Sequence, residues 1–542
     1  MEEISSEWLP HLSNEIVTDA QGYLLDAYAV ALEGWRRGLT LRWHVKDSEK
    51  FKEMSTWYVD NPGQLFSLRS ESHTHYFFRT RGDKVTNDAV RIGKDKDLTK
   101  QALSRADVPV PKGRQFTNEE PDEAIVAYAN EIGYPVVIKP IDGSFGRGVI
   151  SNITTSGELI HSVSYLRSEL GYQDIILEKH ISGNDYRLYV VGDKVVGAMH
   201  RVPPNVVGDG VNSIQALIQL KNEQRSLNPR LESCPIPVND EIIDFIGRKG
   251  YTLDSVPEKG AHIYLSDKCN ISIGGDPIDV LDTLDETTKN IAVNALNAVD
   301  GLTHGAVDVI VDEKAEAEER AVVIELNPTA QIGGLLFPIK GKARDIPAAI
   351  IDFYFPETAG KQLPNKERIY FDLHDVLDPL SNGTAVVSTV INLKPYFLYS
   401  KKLTVSGEIL NPNFFNYIHD FFLVNHVFGF LKKSDSSKIE FVLSSYNKNI
   451  FNELKSILYS TNLINVKQIE EKEWPLPIKA GFKFIKNDRQ LVEQLLVLKK
   501  ELLEVKKENM LVKRRYESLV NSMAWKINKP SRFIKSLFSR SS

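Results

Sequence analysis

Gly305-Ala-Val-Asp-Val-Ile-Val311 and Val322-Val-Ile-Glu-Leu-Asn-Pro-Thr-Ala330 decide the reading of this chain. Both are apolar, β-branched runs of the kind that form strands. The first carries Asp308. The second carries Glu325 and Asn327 at alternate positions, which a strand presents on one face. Two carboxylates and an amide oxygen at the rim of a buried sheet suit a hard divalent cation. Mg²⁺ favours such a partial set, completed by nucleotide phosphates. Glu-x-Asn alone is common in strands, so the assignment draws its weight from the residues upstream.

There, Val136-Val-Ile-Lys-Pro140 runs into Asp142-Gly-Ser-Phe-Gly-Arg-Gly148. The strand delivers Lys139, a point charge for a phosphate. The Gly-rich turn allows close backbone approach, so its N–H groups can cradle phosphate oxygens. It is not a P-loop, which needs Gly-x-x-x-x-Gly-Lys-Ser/Thr. Taken alone, such a turn is more often an ordinary hairpin. Next come Ile175-Ile-Leu-Glu-Lys-His180 and Ser182-Gly-Asn-Asp-Tyr-Arg187. A strand ending in Glu-Lys can offer backbone groups to an adenine edge, and a carboxylate a few residues on can hold ribose hydroxyls.

With these blocks in order, the chain resembles the ATP-grasp superfamily of carboxylate–amine ligases. Its ATP-grasp segment is most similar to cyanophycin synthetases and to bifunctional glutathione-synthesis enzymes. The likeness runs from about Lys94 to Pro356. It includes DKDLTKQALSRADVPVPKG, VVIKPIDGSFGRGV, LEKHISGNDYRLYVV, HRVPPNVVGDG, NISIGG, GAVDVIV, VIELNPTAQI and FPIKGKARDIPAAIIDFYFP. The resemblance implies that Lys139 contacts the α/β phosphates and that Lys96 or Lys100 lies near the nucleotide. It implies that the loop containing Gly143, Ser144, Gly146 and Gly148 closes over the terminal phosphates. Glu178 and the backbone at Lys179 and His180 would frame the adenine, and Asp185 would sit at the ribose. Asp308, Glu325 and Asn327 would hold Mg²⁺, with Mn²⁺ as an alternative ion. Some family members place an Arg two residues before the metal Asp; here that position is Ala306. Arg201 or Arg187 is the expected substitute, each weighed against an ordinary salt bridge.

The implied chemistry is ATP-dependent. Phosphorylating a carboxylate gives an acylphosphate, which an amine attacks to form an amide. Catalysis is then positioning and charge stabilisation, with no nucleophilic side chain. His200, His262 and His304 read as structural. Two other classes stay open: an ATP-binding scaffold, and a small-molecule kinase of the same fold.

At 542 residues the chain has room for several domains, and 42% hydrophobic with 25% charged residues is ordinary globular composition. A net charge of −6 argues against a nucleic-acid partner. Cys234 and Cys269, the two cysteines, form no disulfide framework and no metal-type spacing. The acidic N-terminus lacks a signal-type apolar core and no run reaches the length of a membrane span, so reducing cytoplasm is the expected compartment.

The expected fold is α/β (α+β) and multidomain: an ATP-grasp fold, a ferredoxin-like acylphosphatase-type domain and a C-terminal coiled coil. Residues 1–90 read as an α/β module, with a helix over Leu24–Gly38 and strands at TLRWHV and HYFFRT. Residues 91–360 read as the ATP-grasp unit, with a polar insert from Ile214 to Ser272. Over 384–486 a strand AVVSTVINLKP precedes a β-α-β-β-α-β order, a ferredoxin-like plan. This stretch resembles the acylphosphatase fold. The family's loop Arg falls on Phe415 and its Asn on Lys433, so the domain reads as non-catalytic, a platform. Lys432 and Lys433 read as a solvated basic turn more readily than as an anion site.

Residues 487–522 carry a heptad seam: Leu491, Leu495, Leu498, Leu502, Val505, Asn509, Val512, Tyr516 and Leu519. It predicts a homodimer; the alternative is one amphipathic helix packed on the body. Residues 523–542 interleave Trp525, Phe533, Ile534, Leu537 and Phe538 with Lys526, Lys529, Arg532, Lys535 and Arg540, a pattern suited to peripheral contact with an anionic membrane. This tail is similar to one on some bacterial glycosyltransferases of surface-glycan pathways, which hints at amino-acid addition to a glycan or its precursor. No P-loop ligase domain follows the ATP-grasp segment, and 90 residues cannot hold a glutamate–cysteine ligase domain. Neither relative's product is therefore carried over.

Overall fold

A computed structural model describes residues 6–141, 148–312, 320–408, 412–435 and 437–485. Gly143, Ser144 and Gly146 of the expected phosphate loop, the coiled coil and the basic tail lie outside the described residues.

Helix α1 (Leu24–Arg36) is buried on nearly every face, which its run of Leu, Ala, Val and Trp dictates. It packs beneath strands β1 (Thr40–His44), β2 (Leu65–Arg69) and β3 (Thr74–Phe78), with Arg81–Gly82 as a short edge. The other edge comes from far along the chain. Val387–Thr389 pairs antiparallel with β1, Val387 opposite His44 and Thr389 opposite Arg42. The strand read over AVVSTVINLKP is thus three residues long, and it closes the N-terminal sheet instead of opening the C-terminal region. The reason is an edge: β1 has free backbone groups there, and a local hydrophobicity pattern does not say which edge a strand satisfies. The core is completed the same way, with Phe371 set edge-on against both Tyr28 and Trp35 at 5.0 and 5.4 Å.

Helix α2 (Lys96–Arg105) is N-capped by Asp95, whose carboxylate accepts from the Asp97 and Leu98 amides. It leads into a four-stranded antiparallel sheet of β4 (Gly113–Phe116), β5 (Val136–Pro140), β6 (Ile150–Ile153) and β7 (Ile175–Lys179), in spatial order β4-β7-β5-β6. A second antiparallel sheet follows: β8 (Asn184–Val191), β9 (Lys194–Val202), β10 (Asp276–Asp279), β11 (His304–Val311) and β12 (Ala321–Asn327), ordered β10-β9-β8-β11-β12. Leu188, Val190, Val307, Val309 and Leu326 form one hydrophobic cluster with Ala292, Ala295 and Leu296 of helix α3 (Glu286–Asn297). The register slips between Asp308 and Val309, which face Glu325 and Val323, leaving Ile324 as the extra residue. This bulge reverses the facing of the strand, so Val323 joins the core while Glu325 and Asn327 face the other way. Within the insert, Ile214, Leu217, Ile242 and Ile246 make a small core of their own.

After helix α4 (Ile346–Tyr354), the C-terminal sheet uses β13 (Tyr399–Glu408), β14 (Phe428–Asp435), β15 (Lys438–Ser445), β16 (Asn465–Glu473) and β17 (Phe482–Ile485). Helices α5 (Pro412–Val424) and α6 (Ile450–Ser460) intervene, and the spatial order is β16-β13-β15-β14-β17. It is tied to the N-terminal module: Ile369–Tyr370 pairs in parallel with Ile478–Lys479, and Lys479 Nζ reaches Asp19 and Asp372 at 2.8 and 2.9 Å. No helix among the described residues is long and apolar enough to cross a membrane.

Candidate active site

Lys139 lies next to the end of β5 and Glu178 next to the end of the adjacent β7, with Val137 opposite Glu178 in the ladder. Lys139 Nζ stands 2.6 Å from one carboxylate oxygen of Glu178, and Lys100 Nζ from α2 stands 3.3 Å from the other. Lys100 also donates to the Gly113 carbonyl at 2.9 Å. Both Lys139 and Glu178 are buried. Burial opposes ionisation of Glu178, but the two lysines outweigh it and hold its pKa below the usual glutamate value. Two cations sharing one buried carboxylate leave a positive excess, which is what a polyphosphate needs. Gly148, at φ +74, follows the phosphate turn; that backbone conformation favours glycine, and a Cβ there would crowd Pro140 at 3.1 Å.

The Lys179 side chain anchors its own strand. Its Nζ donates to the carbonyls of Gly133 and Tyr134 at 3.0 and 2.9 Å, and its backbone N–H goes to Lys112. The His180 N–H goes to the Pro135 carbonyl. These two amides are engaged in holding β7 to its neighbours, so neither is open as a donor to an adenine edge in this arrangement. Lys96, the first residue of α2, donates to the Ile141 carbonyl at 3.2 Å, and its charge is felt by Glu325. It therefore links the phosphate side to the carboxylate side.

That second side is one face of the β9-β8-β11-β12 strands. Arg187 on β8 sits directly opposite Asp308 on β11, and Asp308 directly opposite Glu325 on β12. Arg187 Nε and Nη2 donate to the two oxygens of Asp308 at 2.7 and 2.8 Å. Arg201 on β9 donates through Nε to Asp185 at 2.6 Å, and its Nη2 lies 3.0 Å from Asp308. Asp185, expected at the ribose, is here part of this arginine–carboxylate face. Burial raises the pKa of Asp185 and of Glu325, with Asp308 adding to both shifts. Burial also works against Asp308, but Arg187 and Arg201 prevail and lower its pKa. Burial lowers the Arg201 pKa, yet Asp308 and Asp185 more than reverse that and raise it.

The donor set fits a hard cation. Asp308, Glu325 and Asn327 supply oxygens from adjoining strands, and the buried Asn327 Nδ2 has no hydrogen-bond partner among the described residues. A separate group, His11, Glu33 and Asp345, also brings three ligand atoms together. It is already neutralised: Lys366 reaches Glu33 and Asp345 at 3.1 and 2.8 Å, and Arg37 reaches Glu33 at 2.8 Å. It reads as a lock between α1 and α4.

Asp26, Arg79 and Arg230 gather beside the loop that follows Asn327, and sequence reasoning missed all three. Asp26 accepts from the Ile332 and Gly333 amides at 3.0 and 3.1 Å, across more than 300 positions. No local pattern carries that signal.

Residues 93–210 match the RimK-like ATP-grasp domain. A bifunctional glutathione biosynthesis protein of Desulfotalea psychrophila is 34% identical over 278 residues, covering 50% of this chain and 35% of that protein. Cyanophycin synthetase of Synechocystis sp. is 34% identical over 282 residues, covering 51% of this chain and 32% of its own length. The crystal structure of a bifunctional glutathione synthetase from Pasteurella multocida is similar with a TM-score of 0.43 and 28% identity, over 54% of this chain and 41% of that one. The chain spans about a third of the length of these two curated relatives.

Proposed function

We propose that this chain is an ATP- and Mg²⁺-dependent carboxylate–amine ligase that forms a C–N bond and releases ADP. The observation that carries the reading is the single face on which Arg187, Arg201, Asp185, Asp308, Glu325 and Asn327 converge, joined through Lys96 to the Lys139–Glu178–Lys100 group.

In this reading Lys139 and Lys100 exchange Glu178 for the phosphates of ATP. Arg187 and Arg201 swing from Asp308 toward the substrates. A substrate carboxylate oxygen attacks the γ-phosphorus, and ADP leaves with the bonding pair. Lys139 and the arginines balance the charge on the phosphoryl oxygens during transfer. The amine nitrogen then attacks the acyl carbon. Arg201 or Arg187 stabilises the oxyanion until phosphate departs and the nitrogen loses its proton. Asp308, Glu325 and Asn327 would hold Mg²⁺, which, when bound, neutralises phosphate charge and polarises the transferring group. The phosphate turn that ends at Gly148 excludes water, which would otherwise hydrolyse the acylphosphate.

Residues 1–90 serve as the substrate-side module and 91–360 as the ATP-grasp unit. The C-terminal region is a non-catalytic, acylphosphatase-like platform. Phe415, packed edge-on against Phe414 and Phe484, brings no charge with which to clamp a phosphate. The heptad seam over 487–522 pairs two copies, and the basic aromatic tail holds them at an anionic surface in the cytoplasm. The pathway suggested by that tail is addition of an amino acid to a surface glycan or its precursor. Analysis of the nucleotide and amide products formed from ATP with panels of carboxylates, amino acids and amino sugars tests the reading.

A further inference from the structure

The loop that follows Asn327 is gripped from three sides. Thr80 Oγ1 donates to the Ala330 carbonyl at 3.0 Å, Asp26 takes the amides of Ile332 and Gly333, and Arg230 Nη2 donates to Gln331 at 2.9 Å. Arg230 packs directly on this backbone, since a Cβ on Gly333 would fall 2.4 Å from its Cδ. Arg79, the residue before Thr80, is the other cation of the group, and the charges of Arg230 and Arg79 both reach Asp26.

Neither guanidinium has an acid of its own. Arg79 Nε donates to the Gln64 side chain at 2.7 Å, and Arg230 Nη1 points at Cys234 Sγ, 3.0 Å away. Neither forms an ion pair with any described carboxylate. The charges of both reach Asp26, whose Oδ1 is already committed to two amides. The cluster is therefore left with two cations against one anion. Leaving a buried cation without a partner is costly, and Arg230 is 6% exposed.

The backbone here is also strained. Arg79 holds φ +58 and Tyr58 φ +54, values that side-chain-bearing residues seldom adopt. Buried Gln64 pins both: it accepts from Arg79 N–H at 2.8 Å and donates to the Tyr58 carbonyl at 2.9 Å. Strain of this kind persists where surroundings over-determine it, and it collects at ligand clamps.

We propose that Arg79 and Arg230 anchor a carboxylate that does not react, carried by one of the two small-molecule substrates beside the Asp308–Glu325–Asn327 face. The inference rests on the ligase reading. The chemistry is a carboxylate held by two guanidiniums. It has two sources: the second acid of a dicarboxylic donor, or the α-carboxylate of an amino-acid acceptor. Anchoring the far end fixes the reacting end, which is how remote binding energy orients a substrate.

The test is calorimetric titration of the full chain saturated with Mg²⁺ and ADP. One arm compares glutarate with pentanoate. The other compares the common amino acids with their amides. The expected result is at least tenfold tighter binding of the carboxylate-bearing probe in one arm, which names the source. Arg79→Gln and, separately, Arg230→Gln should erase that preference while affinity for ADP, the check on folding, stays the same. Equal binding within both pairs, no binding of any probe, or a preference that survives both variants overturns the inference. The ligase reading is scored separately, by ADP release with hydroxylamine as the amine. If none occurs with any acid, that reading falls and takes this inference with it.

Discussion

Arg187 meets Asp308 head-on: its Nε and Nη2 bind the two carboxylate oxygens at 2.7 and 2.8 Å from the facing position on the neighbouring strand. The acid expected to hold the metal is thus matched by a guanidinium, and Arg201 adds a second at 3.0 Å. A bidentate pair of this kind is among the stronger charge-assisted contacts. Binding a metal means releasing it, so the state of the arginines and the state of the metal site are linked.

Glu325 is held by its place in the strand ladder opposite Asp308 and not by a side-chain hydrogen bond among the described residues, so truncating its carboxylate should spare the fold. Glu325→Ala removes one anion from the metal set and should lower turnover by about a hundredfold or more. ADP release measures the first effect and a melting curve the second. Full activity in this variant would remove Glu325 from the metal site.

Glu178→Gln leaves Lys139 and Lys100 facing each other without their shared acid. Breaking a buried pair on one side costs about 3–5 kcal/mol, so the free protein should melt well below wild type. Phosphates restore the missing anions. The upward melting shift on adding ADP and Mg²⁺ should therefore be larger in the variant than in wild type. An equal shift would mean that these lysines do not meet the nucleotide.

His304 lies fully buried between the hydroxyls of Tyr189, 3.3 Å from Nδ1, and Tyr354, 3.1 Å from Nε2. Burial first, and then Arg81, pushes its pKa from 6.5 down to about 3. The folded state refuses a proton that the unfolded chain accepts. Its contribution is whole above pH 6.5 and is lost as pH falls toward 3. By about pH 4.5 the loss is about 2–3 kcal/mol. His304→Gln should flatten the fall in urea midpoint between about pH 7 and 4.5. His44, lowered to about 4 by burial and then Arg42, keeps some slope in both proteins.

Some of this was legible from the chain alone. Strand periodicity at Val136–Pro140 and Ile175–Lys179 placed Lys139 and Glu178 each near the end of a strand, because alternation and apolar content are local properties. Glu325 and Asn327 were legible as a pair for the same reason. Non-local facts were not. That Val387–Thr389 completes the N-terminal sheet, and that Phe371 packs against Trp35, depends on which free edge and which hollow the distant segment reaches. The sharing of Glu178 by two lysines, and the commitment of Asp185 to Arg201, depend on side-chain reach across strands, which spacing does not encode.

The heptad seam leads to a test of assembly. A helix built on that pattern would leave its leucine stripe in water unless it is covered, and the proposed pairing of two copies would cover it. Deleting residues 487–542 should turn a dimer into a monomer that still hydrolyses ATP. Light scattering that gives the same mass before and after deletion would favour a helix packed on its own body.

The most direct test of the ligase reading is product analysis with a trap. The full chain is supplied with ATP, Mg²⁺, a panel of carboxylates and excess hydroxylamine. An acylphosphate intermediate should yield a hydroxamate and ADP in equal amounts, with neither AMP nor pyrophosphate. Hydroxamate accompanied by stoichiometric AMP and pyrophosphate would contradict the account, because activation would then run through an adenylate.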